Sequence, residues 1–331
     1  MIHTGETTTG ARRVAAVLAA AFALLAPAAA HGATLSVDDN LQDCPAAPYT
    51  SIQAAVGAAA PGDTVAVCPG TYVEGGSTNG TNAINSLTID KSLTIRGAGA
   101  DLVEIVPRGR IAANAPVLRN TTGAIVAVTG TPAAPIDVDI SGITVSGGGF
   151  YSEIGVLFID AQGSLYRSRV TDIVTSEAAE SEATLGGFRS NQFGYGVVQT
   201  SAGTGVTGDP RPLDIVGTRV DRYNKGGIFI DGATGDTPPL TPSGAANAAT
   251  IVGTSVVGRL RCINFEADGN CSAPGLITTG TLFGQDGLLV TAGSTASIDS
   301  SAFFQNFVNG TGAPPFSPNS GAPVSTNNTN L

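Results

Sequence analysis

The sequence predicts an all-β solenoid, a parallel β-helix closed at its start by one short α-helix. Three observations carry this. Two kinds of short strand alternate along the chain, with a full circuit of a little over twenty residues. Only one amphipathic helix precedes them, at residues 50–60, and no second one of that kind follows. The composition, with 44 Gly, one Met and no Trp beside abundant Thr, Ser, Val and Ile, is that of many strands and many turns.

Taken in chain order, residues 1–33 read as a secretory signal peptide. Arg12 and Arg13 precede the apolar run "VAAVLAAAFALLAPAAA", which ends in a small-residue cleavage pattern near Ala30 or Ala33. A general secretory and a twin-arginine route both fit these residues, and both imply a secreted, extracellular chain. No later stretch approaches eighteen consecutive apolar residues, so no membrane span is expected after cleavage. Four cysteines in an exported chain predict two local disulfides, Cys44 with Cys68 and Cys262 with Cys271. Loop entropy alone assigns these bridges about 3.5 and about 2.7 kcal/mol. Their spacing does not suit a zinc site, and no His lies near them.

The stretch "YTSIQAAVGAAAPGDTVAVCPGTYVEG", residues 49–75, encodes the expected lid. Thr50 and Gln53 form a capping-box pattern, and Ile52, Ala55, Val56 and Ala59 share one helical face. Pro61, Gly62 and Asp63 end the helix and turn the chain into "TVAVC", the expected first coil strand. A stack of coils exposes an open row of backbone donors and acceptors at each end, and a helix laid across it prevents edge-to-edge pairing.

The repeats follow. One kind of strand opens on a glycine, from Gly123, Gly155, Gly196, Gly227 and Gly287. The other carries two apolar residues five apart, from Ile140, Leu165, Ile215, Ile251 and Ile298. The step from Gly155 to Leu165 is ten residues and that from Val145 back to Gly155 is ten, which sets the circuit. Strands in successive coils lie about 4.8 Å apart, so roughly ten coils make a rod near 45 Å long. A β-sandwich would explain the strands but not their alternation of type.

Residues 173–195, 233–248 and 259–284 lengthen turns between strands, where binding groups are commonly placed. In "GGFRSNQFGYG", Phe188, Phe193 and Tyr195 could either stack on sugar rings or pack the insertion onto the rod. The β-helix domain is expected over residues 34–308, and residues 309–331, uncharged and rich in Pro, Gly, Ser and Asn, as a flexible tail.

The opening stretch, followed by "LTIDKSLTIRGAGADLVEI", resembles the start of the right-handed parallel β-helix proteins of the pectin lyase-like superfamily. The resemblance is specific over residues 49–105 and looser in later repeats such as "VDRYNKGGIFIDGA". It implies a right-handed β-helix and a carbohydrate-active protein, but the superfamily includes lyases, hydrolases, esterases, epimerases and non-catalytic binders, so the activity has to come from the site.

The formal charge of −10 becomes −11 once Glu6, Arg12 and Arg13 leave with the signal, and the chain has two lysines, Lys91 and Lys225. Such a chain, without a basic stripe, is no partner for nucleic acid or an anionic membrane, and as a whole it repels a polyuronate unless calcium bridges the two. The superfamily hydrolase pattern is absent: both histidines, His3 and His31, precede the core, and the one adjacent aspartate pair, Asp38 and Asp39, sits before the helix. Lyase chemistry, with an Arg or Lys base and calcium on clustered acids, leaves Asp172, Asp221, Arg222, Lys225 and Asp231 as candidates. Aligning the coils on Val170 and Val220 puts Arg169 over Arg219 and Asp172 over Arg222, an arrangement that in most rods is a solvated face. The sequence therefore supports a monomeric polysaccharide-binding or lyase-type protein, with a non-catalytic surface protein bound to a cell-envelope component as the alternative. No cofactor is expected, and calcium only with a lyase.

Overall fold

The computed structural model of the 331-residue chain describes Met1 and residues 32–75, 85–109, 111, 123–150, 152–173, 194–201, 210–223, 226–232, 247–258, 286–291, 294–304, 316–318 and 324–326. The chain divides into two units, Met1–His31 and Gly32–Leu331, and the second contains every strand named below.

Three parallel sheets make up the fold. The first runs β1 (Thr34–Val37), β2 (Thr64–Val67), β5 (Leu93–Gly97), β8 (Ile136–Ser141), β11 (Ala161–Tyr166), β14 (Arg211–Val216), β17 (Asn247–Val252), β20 (Thr295–Asp299) and β23 (Val324–Thr326). The second runs β4 (Asn85–Ile89), β7 (Ala124–Thr129), β10 (Ile154–Ile159), β13 (Tyr195–Thr200), β16 (Gly226–Asp231), β19 (Asp286–Thr291) and β22 (Phe316–Pro318). The third runs β3 (Gly70–Glu74), β6 (Val103–Pro107), β9 (Thr144–Ser146), β12 (Arg169–Thr171), β15 (Arg219–Asp221), β18 (Ser255–Val257) and β21 (Ala302–Phe304). From β4 onward the chain visits the second, first and third sheets in turn, so each strand from β5 on pairs with the one three places earlier. This is a right-handed parallel β-helix, the fold expected from the resemblance. Nine strands in the longest sheet make a stack of roughly 40 Å, slightly shorter than the sequence suggested.

The second repeat type is two strands rather than one. Ile140, Leu165, Ile215, Ile251 and Ile298 stand in register in the first sheet, and Val145, Val170, Val220, Val256 and Phe303 in the third. Between them the backbone turns a corner at Gly142, Arg167, Gly217, Gly253 and Ser300, all with positive φ. That conformation lets the chain change sheet in one residue, and Arg167 and Ser300 adopt it despite their side chains. The next residue in four coils is Ser168, Thr218, Thr254 or Ser301, all buried. These hydroxyls bind the coil before them: Thr254 Oγ1 donates to Ile215 O at 3.0 Å, and Ser301 Oγ accepts from Thr254 N at 3.0 Å.

The glycine ladder is real but shorter than the sequence alignment implied. Gly155, Gly196, Gly227 and Gly287 stand in register, whereas Ile125 holds that place in β7 and Gly123 lies two residues earlier. The glycines are required by a close approach: a Cβ on Gly196 would lie 2.3 Å from Val220 Cγ1 and 2.6 Å from Gly227 O. The second sheet is buried on both faces, since Leu157, Val198 and Phe229 form an outward row that is covered as fully as the inward one.

The lid helix, α1 (Ile52–Ala58), is shorter than the predicted residues 50–60. It buries Ile52, Ala55 and Val56 against the first coils. The cap is Ser51, whose Oγ accepts from Ala54 N at 3.3 Å, in place of the expected Thr50. Gln53 does not complete a capping box: its side-chain amide pairs with the backbone of Thr88, accepting from N at 2.8 Å and donating to O at 3.1 Å. It thereby satisfies the open edge of β4, and the buried Glu74 carboxylate takes the helix's first N–H groups instead.

"TVAVC" is not the first strand, because β1 precedes the helix and pairs with β2. The Cys44–Cys68 disulfide is present and ties the loop after β1 to the end of β2. Cys262 and Cys271 lie outside the described residues, as does most of each insertion. Tyr195 belongs to β13 and Asn247 and Ala248 to β17, so the insertions are narrower than 173–195 and 233–248. In the expected tail, β22 and β23 add strands to the second and first sheets, which extends the coil stack past residue 308.

Candidate functional site

The charged residues predicted by alignment meet on the third sheet. Val170 and Val220 point into the rod, so their neighbours point out, and Arg169 lies directly over Arg219 as expected. Asp221, last in β15, is buried, whereas the side chains of Arg169, Arg219, Asp172 and Arg222 stay partly exposed, as on a solvated face. Arg169 reaches across one coil to bind both of its oxygens, with Nη2 at 3.0 and 3.2 Å. The Arg219 Nε donates to the same carboxylate from two residues earlier on the strand. Burial opposes the charge on Asp221, but the Thr171 hydroxyl and the two guanidiniums outweigh it and hold its carboxyl below the ordinary carboxylate range.

Asp172 and Arg222 occupy the following corner in successive coils, both with positive φ. The Arg222 Nε donates to Asp172 Oδ1 at 2.7 Å, as the alignment of the two coils predicted. The turn of the preceding coil abuts this pair: Gly147 N donates to Thr171 O at 3.1 Å, and a Cβ on Gly147 would lie 2.0 Å from Asp172 O. That turn carries Phe150, one of the large apolar side chains left exposed among the described residues. Sequence analysis missed Phe150, because its position depends on how a Gly-rich turn folds back against the next coil.

The cluster thus holds three guanidiniums and two carboxylates across neighbouring coils, and the turn packed against it carries the exposed Phe150. Arg169 keeps one more unmet need, since its Nε is buried and has no partner. Lys225 lies outside the described residues, and Asp231 is not part of the cluster. It ends β16, a strand length of roughly 20 Å from that corner, where it accepts from Thr200 Oγ1 at 3.4 Å. Tyr195 is buried and stacks on Phe229 with centroids 5.4 Å apart, so it packs the sheet and offers no sugar platform. Phe188 and Phe193 lie outside the described residues.

Each carboxylate in the cluster is engaged by a guanidinium, and Asp221, held below the ordinary carboxylate range, is unlike the protonated acid that glycoside hydrolysis needs. A calcium ion does not fit these residues, because Asp172 and Asp221 are turned onto arginines and no three His, Cys, Asp or Glu converge among the described residues. The arrangement suits anion capture: guanidiniums oriented by carboxylates and with donors to spare.

Fold and flank together define a right-handed parallel β-helix with a cationic patch on one sheet of an otherwise acidic chain. No family model matches this sequence, and no curated protein matches it. Among solved structures, that of a pectin methylesterase mutant in complex with a hexasaccharide is similar over 89% of this chain and 90% of that chain, at 9% identity and a TM-score of 0.33. A likeness at that level carries no argument about activity.

Proposed function

We propose that this chain is a secreted polysaccharide-binding protein that holds an acidic glycan along its third sheet. The carrying observation is the Arg169 and Arg219 pair held by buried Asp221, with Arg222 held by Asp172 at the following corner and the adjoining turn carrying exposed Phe150. Successive coils are about 4.8 Å apart, close to the length of a pyranose unit, so a chain lying along the rod meets one coil per sugar. Uronate carboxylates would accept from the guanidiniums, and Phe150 would cover a ring face. Binding is favoured over cleavage because both carboxylates of the cluster are committed to arginines.

Export is supported by the apolar run after Arg12 and Arg13 and by the Cys44–Cys68 disulfide, which suits an oxidising compartment. Among the described residues no helix is long and apolar enough to cross a membrane.

Affinity electrophoresis and calorimetry with polygalacturonate and a neutral glucan test the reading. Preferential, salt-sensitive binding of the polyuronate that falls at least tenfold in Arg222→Ala and Phe150→Ala supports it. Equal affinity for both glycans, or none in a folded protein, overturns it. Absorbance from unsaturated product during the same incubation would instead show lyase cleavage.

A further inference from the structure

At the lid end each sheet stops at an edge strand: β1 in the first, β4 in the second and β3 in the third. The chain puts backbone or amide partners on the first two. Tyr49 bridges to Val37 and its O accepts from Asp38 N at 3.0 Å beside β1, while the Gln53 amide pairs with Thr88 on β4. On β3, Gly70 N donates to Leu102 O at 2.9 Å and Glu74 O accepts from Arg108 N at 3.0 Å, so Gly70, Tyr72 and Glu74 turn their backbone groups towards β6. Thr71 and Val73 alternate with them and turn theirs to the open side. Asp39 Oδ2 closes one of these positions by accepting from Thr71 N at 3.1 Å. The C=O of Thr71 and the N–H and C=O of Val73 have no partner among the described residues.

There is room for another strand beside this edge. A cleft of about 620 Å³ runs along it, with Thr71, Val73 and Gly75 of the strand and Thr50 and Ser51 of the lid among its walls. An added strand would lie about 4.8 Å beyond β3. The side chain of Val73 is half-exposed and stands in register with Val106, over which the next turn closes: a Cβ on Gly148 would lie 3.4 Å from Val106 Cβ. The apolar row on the outer face therefore stops at Val73 with its free side uncovered. Two residues earlier Thr71 stands in register with Glu104, which faces outward because Val103 and Ile105 point into the core, and the Asp39 carboxylate sits at the backbone of Thr71. Charge at this end is acidic throughout, with eight acids and three bases in residues 32–75 and 85–109. A half-exposed β-branched residue with free backbone groups is the kind of edge that recruits a strand from another chain.

We propose that the β3 edge takes up an extended, cationic peptide segment of a partner protein as one more strand of the third sheet. The peptide's backbone completes the Thr71 C=O and the N–H and C=O of Val73. A Lys or Arg of the peptide lies beside Thr71, near Asp39 and Glu104, and a β-branched residue two positions along continues the Val73 and Val106 row. This site is separate from the proposed polyuronate flank, and either can fail without the other.

The test is fluorescence anisotropy of the mature chain with a labelled, capped hexapeptide, Thr-Lys-Thr-Val-Thr-Val. Three further probes accompany it: a form with Glu in place of Lys, and two forms methylated on one or the other set of alternate backbone nitrogens. The lysine peptide is expected to bind, more weakly as salt rises, and the glutamate form at least tenfold less tightly. Only one set of nitrogens faces β3, so at least one methylated form should lose tenfold or more. Val73→Pro removes the edge donor without touching the bonds to β6, a substitution that an edge strand tolerates, and should weaken binding at least tenfold. Val73→Lys, which sets a like charge beside the peptide, should do the same, and it decides if the proline variant fails to fold. Arg222→Ala, on the other flank, should leave binding unchanged. No binding of the lysine peptide by the folded parent, equal binding of the glutamate form, or binding that survives both methylations or Val73→Lys would overturn the proposal.

Discussion

Asp160 and Arg211, 51 residues apart in sequence, form an ion pair sealed in the corner between the second and first sheets, with side-chain exposures of 0% and 5%. Arg211 heads β14 at an inward-facing position, in register with Asn247, and its guanidinium also donates to Ser201 Oγ at 2.8 Å. A cation pointing into a solenoid core is tolerable only with such partners.

Removing one member of this pair should therefore be costly. Asp160→Ala leaves the arginine buried and uncompensated, and is expected to lower stability by about 3–5 kcal/mol. Replacing both without leaving a buried charge, as in Asp160→Asn with Arg211→Met, keeps a residue that tolerates the positive φ at 160 and should recover most of the loss. Chemical denaturation of the parent and the two variants measures the difference.

The depressed pKa of Asp221 makes stability depend on acid. Its stabilising effect is fully present above the ordinary carboxylate value of 3.8 and is lost as pH falls through the lower folded value. Urea midpoints recorded between about pH 2 and pH 6 should fall more steeply at the acid end for the parent than for Asp221→Asn. Equal slopes would mean that the arginines do not hold the carboxylate as described.

Gly196 has no space for a methyl group, because Val220 Cγ1 and Gly227 O both lie under 3 Å from where it would sit. Gly196→Ala is expected to cost about 2 kcal/mol through overpacking. Gly57→Ala, on the lid helix with nothing within 4 Å of the new Cβ, should instead be neutral or stabilising. Paired thermal melts compare the two.

The lid depends on Glu74 and on the disulfide. Glu74→Ala strands the buried Ile52 N–H and should cost about 1–3 kcal/mol, whereas Glu74→Gln retains an acceptor and should cost less. Reduction of Cys44–Cys68 should cost about 3.5 kcal/mol by loop entropy. Hydrogen exchange should localise both effects to α1 and the first coils, with the later coils protected as before.

Much of this fold could be read from the chain because solenoid coils repeat. Each strand meets its equivalent in the next coil, so the spacing that put Leu165 after Ile140 and before Ile215 is also their spatial register. The same logic placed Arg169 over Arg219 and Asp172 beside Arg222 before any coordinates, and the cysteine count pointed to Cys44–Cys68. Local pattern located the helix, but the choice of Ser51 over Thr50 as its cap depended on Glu74, brought there by β3.

What only the tertiary structure decided is which charges are buried and what lies beside them. Strand alternation marks Asp221 as outward, yet two guanidiniums from neighbouring positions cover it. Asp160 and Arg211 are separated by a whole coil and meet only when the corner closes. The turn that carries Phe150 packs against Thr171 and Asp172, and Asp39 meets Thr71 across the lid end, neither of which follows a repeat. Periodic packing propagates along the sequence and can be counted there. Side chains that cross coils, corners and turns depend on distances that exist only once the rod is wound.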